Sequence, residues 1–405
     1  MEFPPRRTSL TNRAWSVIPN GLVRRRVDGI ARRRIGAMLA PAPTTLHADS
    51  APYRALRRPP GAKWIEALDQ RALPHAEVMV RIDDAGKAAL AIRNMWIRGA
   101  PLIGAVGAYG LALALLRDAS DAGLAKAHST LDATRPTAMN LRWALDRVRR
   151  VVEPLPESER VDAAWCEADA IVVEDIEICH AIGRNGLELL REVPRRRGGP
   201  INVMTHCNAG ALATCGWGTA TAPIFLAHAE GLPIHVFVSE TRPRLQGANL
   251  TAWELQQRGI PYTLFVDSAS GLLLRRGDVD MVITGTDRVA RNGDVCNKIG
   301  TYDKALAARD NNVPFYVALP SPTIDWSLPS GDAIPIESRS ADEVLTATGR
   351  DEYGQTTRVA LAPPGTRAVN FAFDVTPARL VSGLITERGV ARDAQWLAAL
   401  FPRAA

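Results

Sequence analysis

The chain is poor in the features that announce a metal, a nucleotide or a membrane. Only five of its 405 residues are cysteine, namely Cys166, Cys179, Cys207, Cys215 and Cys296. An odd set with no C-x-x-C pair suits free thiols in a reducing cytoplasm better than a disulfide framework or a zinc site. No His/Cys/Asp/Glu grouping has metal-ligand spacing, so no metal is expected. A nucleotide-type glycine motif, an internal repeat and a long low-complexity tract are all missing. The one long apolar run, Gly99 to Leu116, follows Arg98 and is interrupted by Pro101 and by Gly104, Gly107 and Gly110. These interruptions predict a tightly packed soluble helix and no transmembrane segment.

Net charge is scarce outside one segment. The formal net charge is +6, but residues 1–37 hold nine arginines against Glu2 and Asp28, which leaves the remainder at −1. A nucleic-acid footprint is a basic face of the folded domain, so no nucleic acid is expected for the core. Residues 1–50 read as a basic, disordered extension outside the fold, with translation beginning at Met38 as one version of that reading. A targeting peptide or an RNA- or membrane-surface arm are the other readings.

What is present falls into two grammars. From about Tyr53 to Pro74 short extended pieces flank the Pro59-Pro60-Gly61 turn. From Asp83 to about Val193, apolar residues at three-to-four spacing predict helices over Ala85–Met95, Leu102–Leu116, Asn140–Val152 and Val161–Leu190. Residues 51–195 thus form a mostly helical domain with a small strand-containing cap, and 196–200 a linker. Over 201–400 short β-branched runs alternate with helix-length segments: Ile201–Thr205, Ile234–Ser239, Tyr262–Val266, Met281–Thr284, Pro314–Leu319 and Ala368–Phe373. That alternation specifies an α/β fold with a Rossmann-like, doubly wound parallel sheet.

Ligands of such sheets bind outside the carboxyl ends of the strands. The residues that follow the strands are His206-Cys207-Asn208, Glu240-Thr241-Arg242-Pro243, Asp267-Ser268, Thr286-Asp287-Arg288, Pro320-Ser321 and Asp374. One polar rim collects them. Three clusters suggest phosphate handling: Arg98-Gly99-Ala100-Pro101 at a helix start, Arg135-Pro136-Thr137 with Asn140 as a cap, and Asn297-Lys298-Ile299-Gly300 at the next helix start.

The segments around Arg98, Arg135, Cys207, Glu240 to Ala248, Thr284 to Arg288 and Asn297 to Tyr302 resemble the S-methyl-5-thioribose-1-phosphate isomerase family. Its wider relatives include regulatory subunits of the initiation-factor-2B exchange factor. The likeness covers about residues 53–395. It implies a cofactor-free, cytoplasmic, homodimeric isomerase of methionine salvage that turns a cyclic aldose 1-phosphate into the open ketose 1-phosphate. It further implies that Cys207 and Asp287 are the catalytic pair and that Arg98, Gly99, Ala100, Arg135, Gln246, Asn297 and Lys298 hold a small sugar phosphate. Thr286, where the family has alanine, and Asn370-Phe371, where it has Asn-Pro, are departures.

The chemistry needs an acid for the ring oxygen, because phosphate on the anomeric oxygen locks the ring. Asp287 fits if burial raises its pKa. Cys207 fits as a base through its thiolate if cations lower its pKa, or as a transition-state neighbour in a direct hydride shift. The bland readings are a small buried hydrophobe for Cys207 and a loop-amide acceptor for Asp287. His206 points away from Cys207 and packs, Trp217 and Trp253 belong to the core, and the other four cysteines are structural. Isomerisation of 5-deoxyribose 1-phosphate or ribose 1,5-bisphosphate and non-catalytic sugar-phosphate binding are the alternatives. An apolar wall near the 5-position favours the methylthio sugar, an extra basic group the bisphosphate.

Overall fold

The computed structural model describes residues 53–193 and 199–402. The expected extension over residues 1–50 lies outside the described residues, as does the linker apart from Gly199 and Pro200. Strands β1 (Leu56–Arg57), β2 (Ile65–Leu68) and β3 (Met79–Ile82) form the expected cap, an antiparallel sheet. Five helices follow: α1 (Ala85–Arg93), α2 (Ala100–Leu115), α3 (Asp121–Asp132), α4 (Met139–Val152) and α5 (Glu157–Glu192).

Helix α2 is the apolar run. It is apolar all round because it is covered all round: every residue from Leu102 to Leu113 is buried, beneath α1, α3, α4 and α5. A Cβ at Gly107 would stand 2.4 Å from Leu141 Cδ1 of α4, so a larger residue there would force Leu141 to move. No helix among the described residues is long and apolar enough to cross a membrane.

Past Pro200 the chain builds β4 (Ile201–Thr205), α6 (Ala222–Ala229), β5 (Ile234–Ser239), α7 (Ala252–Gln257), β6 (Tyr262–Phe265), α8 (Ser270–Arg276) and β7 (Met281–Thr284). Then come β8 (Arg288–Ala290), β9 (Val295–Lys298), α9 (Thr301–Asp310), β10 (Phe315–Ala318), β11 (Ile324–Asp325), α10 (Asp342–Leu345), β12 (Thr346–Arg350), β13 (Thr356–Ala360), β14 (Phe373–Thr376), β15 (Gly383–Thr386), β16 (Gly389–Ala391) and α11 (Ala394–Leu400). The main sheet runs β16-β15-β10-β7-β4-β5-β6. It is parallel except for β16. From β4 the chain winds first to β5 and β6 on one side, then to β7, β10 and β15 on the other, so the order reverses between β4 and β7. Neighbouring residues of β4 face opposite ways. Val203 joins a core with α5 and α6, and Met204 one with α8, α9 and α11.

Five expected strands fall where the sequence places them. The sixth does not: the run Ala368–Phe373 becomes a strand only from Phe373, and β14 pairs antiparallel with β9 in a separate sheet, β11-β8-β9-β14. The strand that joins the main sheet is β15, buried along its whole length, whereas Val369 and Phe371 are exposed. The β12–β13 hairpin is an exposed insertion.

Candidate active site

The rim beyond the carboxyl ends of the strands is held in place from one side to the other. Asp267, just after β6, accepts the backbone N–H of Thr241 (2.8 Å) and of Arg242 (2.6 Å). Thr241 Oγ1 in turn accepts the N–H of Cys207 (2.9 Å). On its other side Cys207 is gripped by Thr251 Oγ1, which donates to its carbonyl at 2.6 Å. These two hydroxyls hold Cys207 at φ +63°, a left-handed conformation that costs a non-glycine residue about 1–3 kcal/mol and marks functional sites. His206 is packed and hydrogen-bonded as expected, but it also borders the cavity that Cys207 lines. It is buried, its Nε2 lies 2.8 Å from the Ile299 carbonyl oxygen, and burial together with the nearby Lys304 keeps it neutral.

Across the switch point, Asp287 follows β7. Its backbone N–H donates to the Cys296 carbonyl (3.0 Å), and the Thr286 hydroxyl bonds the same oxygen at 2.7 Å. The unusual threonine thereby anchors the loop. Unlike Asp267, Asp287 spends no carboxylate oxygen on loop amides. Burial raises its pKa against the pull of Lys298, Arg135 and Arg98, and the like charge of Glu337 adds to the rise.

The anion-binding groups converge on the same space. Arg98 is 7 % exposed and sits beside the start of α2; its Nη1 donates to the Asn208 carbonyl (2.7 Å), its Nη2 to Asn208 Oδ1, and its Nε to Gln70 Oε1 (3.2 Å). Gly99 has φ +93°, and a Cβ there would lie 2.4 Å from Ala213. Arg135 pairs with Glu337 at 3.1 Å. Its Nε and the Oε1 of Gln246 are buried without a partner, a costly state that a polar ligand relieves. Lys298 is buried over the Phe373 ring at 5.0 Å, and burial lowers its pKa. All nine residues expected to form the site line one cavity.

Two local expectations change. Asn297 and Lys298 lie on β9, with Gly300 and not Asn297 opening α9. Asn140 sits inside the first turn of α4, where its Oδ1 accepts from Thr323 at 3.2 Å, and Ala138 takes the cap position. Sequence reasoning missed Gln70, Thr251 and Glu254, all supports behind the cavity. The motif after β5 contains Thr241, but nothing in the pattern assigns it a bond to Cys207.

Met95, Arg98 and Gln246 are shared with an outer groove of about 390 Å³. Leu73, Pro243, Leu245 and Leu250 supply its apolar wall. Apart from Arg98, its cations are already paired: Arg71 with Asp69 (2.6 Å), Arg244 with Glu343 (2.7 Å), and Arg358 with Asp342.

The sequence pattern of the Initiation factor 2 subunit family matches residues 96–393. A methylthioribose-1-phosphate isomerase of Brucella anthropi is 57 % identical over 342 residues, 84 % of this chain and 94 % of that protein. The crystal structure of 5-methylthioribose 1-phosphate isomerase from Pyrococcus horikoshii superposes with a TM-score of 0.75 at 38 % identity, covering 86 % of this chain and 96 % of that one. The structure titled translation initiation factor eIF-2B, subunit delta, from A. fulgidus gives a TM-score of 0.69 at 36 % identity, over 83 % and 95 % of the two chains. This chain therefore belongs to the Initiation factor 2 subunit family, among its methylthioribose-1-phosphate isomerases.

Proposed function

We propose that the cavity isomerises S-methyl-5-thio-α-D-ribose 1-phosphate to S-methyl-5-thio-D-ribulose 1-phosphate, the methionine-salvage step. The observation that carries this reading is the placement of Cys207 and Asp287 on either side of the β4/β7 switch point, inside one cavity with Arg98, Arg135 and Lys298. Gly99, Ala100, Gln246 and Asn297 complete the grip on the sugar phosphate. Asp287, its pKa raised above the usual carboxyl range by burial, acts as the acid: it donates its proton to the ring oxygen and the C1–ring-oxygen bond breaks. Hydrogen then moves from C2 to the electron-poor C1, and the C2 hydroxyl proton returns to the Asp287 carboxylate as the ketone forms. Cys207 either carries that hydrogen as a proton or borders its transfer as hydride. Product formed in deuterium oxide separates the two: deuterium at C1 means a proton route, its absence a hydride route.

The apolar wall of the outer groove, where every arginine except the shared Arg98 is already paired, favours a methylthio group over a second phosphate at the 5-position. A subunit that only binds has no use for an acid with a raised pKa in one cavity with a thiol, which weighs against a regulatory reading like that of the A. fulgidus subunit. We further propose a cofactor-free cytoplasmic homodimer in which residues 51–195 and 201–400 act as helical and catalytic domains. The test is a coupled isomerase assay on the methylthio, 5-deoxy and 5-phospho sugars. Turnover is expected for the methylthio sugar, about 10- to 200-fold above the 5-deoxy analogue. No turnover of it, or indifference to Cys207→Ser and Asp287→Asn, would sink the proposal.

A further inference from the structure

Helix α7 supplies no residue to the cavity wall, yet the segment that leads into it supports the site. Gly247–Thr251 forms a π-helical turn continuous with α7, the kind of helix irregularity that recurs at functional sites. Gln246, just before the turn, lines the cavity; Thr251, within it, donates to the Cys207 carbonyl; and Glu254, just past it on α7, accepts from Asn208. Glu254 is 2 % exposed. Its carboxylate accepts Asn208 Nδ2 (2.8 Å), Ala211 N (2.8 Å) and Leu212 N (3.2 Å). The loop lies so close that a Cβ on Gly210 would be 2.4 Å from the carboxylate oxygens.

These contacts decide which way the Asn208 amide points. With its nitrogen drawn to Glu254 and to Thr251 Oγ1 (3.2 Å), its oxygen faces Arg98 and accepts from Nη2. The opposite orientation would set an amide nitrogen against a guanidinium, donor against donor. Arg98 has five N–H donors, of which Gln70 and Asn208 take three; one remains on each terminal nitrogen. We infer that Glu254 is a positioning residue: acting through Asn208, it fixes the plane of the Arg98 guanidinium and the two donors that Arg98 keeps for the ligand and for Cys207. The electrostatic contact of Arg98 with Cys207, Asp287 and Glu254 agrees with this relay. Glutamine is a poor replacement, because three N–H donors converge on the carboxylate and the new amide nitrogen must face at least one of them.

The inference rests on the isomerase reading of the cavity, and the test separates the two. Glu254→Gln and Asn208→Ala are each expected to lower kcat/KM about 30- to 100-fold while the purified protein stays folded. In the double variant the loss stays within twofold of the worse single variant, since both cut one relay. A second readout needs no turnover: on a Cys166→Ser background, the rate of Cys207 alkylation by iodoacetamide at one fixed pH changes at least fivefold in both variants. A Glu254→Gln protein that melts earlier yet keeps wild-type kcat/KM and the wild-type alkylation rate overturns the inference, as do losses that multiply in the double variant. If Glu254→Gln does not fold, Asn208→Ala, which keeps the Glu254 bonds to Ala211 and Leu212, decides by the same criteria. If the wild type turns over none of the sugar phosphates, the isomerase reading fails, and the alkylation rate still decides the role of Glu254.

Discussion

The molecule sets cysteine beside aspartate twice. Cys207 and Asp287 line one cavity with two arginines and a lysine. Where α5 meets the loop after β4, Asp175 sits between Cys179 and Cys215. There every polar atom is spent: Asp175 accepts the Cys215 N–H at 2.7 Å and faces the Cys179 thiol at 3.8 Å. Burial pushes both thiols well above the ordinary range and raises Asp175 to about 6. Burial raises both aspartates, but Asp175 is closed off by hydrogen bonds while Asp287 keeps its carboxylate for the cavity. What separates a reactive pair from an inert one is access and neighbouring cations, and residue type alone does not reveal it.

That contrast can be broken most sharply at the carboxylates. Asp287→Asn is expected to lower kcat by about 10³-fold or more, the upper range for loss of a general acid, whereas Asp175→Asn stays within threefold of wild type in the same assay. Next comes the thiol pair: Cys207→Ser should cost about 10²-fold in kcat, while Cys179→Ala retains activity and loses roughly 1–2 kcal/mol in urea unfolding as a small cavity opens. The pH response should divide the two sites as well. Asp287 must be protonated to act, so kcat falls as pH rises through its raised pKa, and rate profiles of wild type should show that basic limb. Asp175 supplies an effect on stability alone, without one on turnover. Its folded pKa of about 6 lies above its ordinary 3.8, so the folded state binds the proton more tightly. The stabilisation present below pH 4 is therefore lost as pH climbs through 6, about 3 kcal/mol in all. Unfolding curves across that window should flatten in Asp175→Asn; an unchanged slope would assign the pH dependence elsewhere.

Much of this was legible in the order of residues. Parallel strands buried on both faces read as short β-branched runs, and β4, β5 and β7 lie at their expected bounds because nothing else can bury Ile201–Thr205, Ile234–Ser239 and Met281–Thr284. The rim residues followed from those strand ends. The sixth strand was misplaced because Ala368–Phe373 has strand composition but no partner face, while Gly383–Thr386 is too short to stand out. The supports of the site were illegible for a different reason. Glu254 lies 46 residues from Asn208 and Gln70 lies 28 from Arg98, and no local spacing encodes a contact that only tertiary packing creates. Thr286 carried a visible departure from the family, yet its bond to the Cys296 carbonyl needed the fold.

Helix α5 has a last consequence. At about 1.5 Å per residue its 36 residues extend roughly 54 Å. Trp165, Ala168 and Ile171 belong to the core beneath the cap, and Cys179, Ile182, Leu187 and Leu190 to the core beneath the sheet. Neither core is complete without its share of this one helix, so the two halves cannot melt separately: loss of either strips apolar surface from the other. Cooperativity is thus written into one continuous element, and the natural place to cut the chain, just past its end, leaves the sheet without one of its walls.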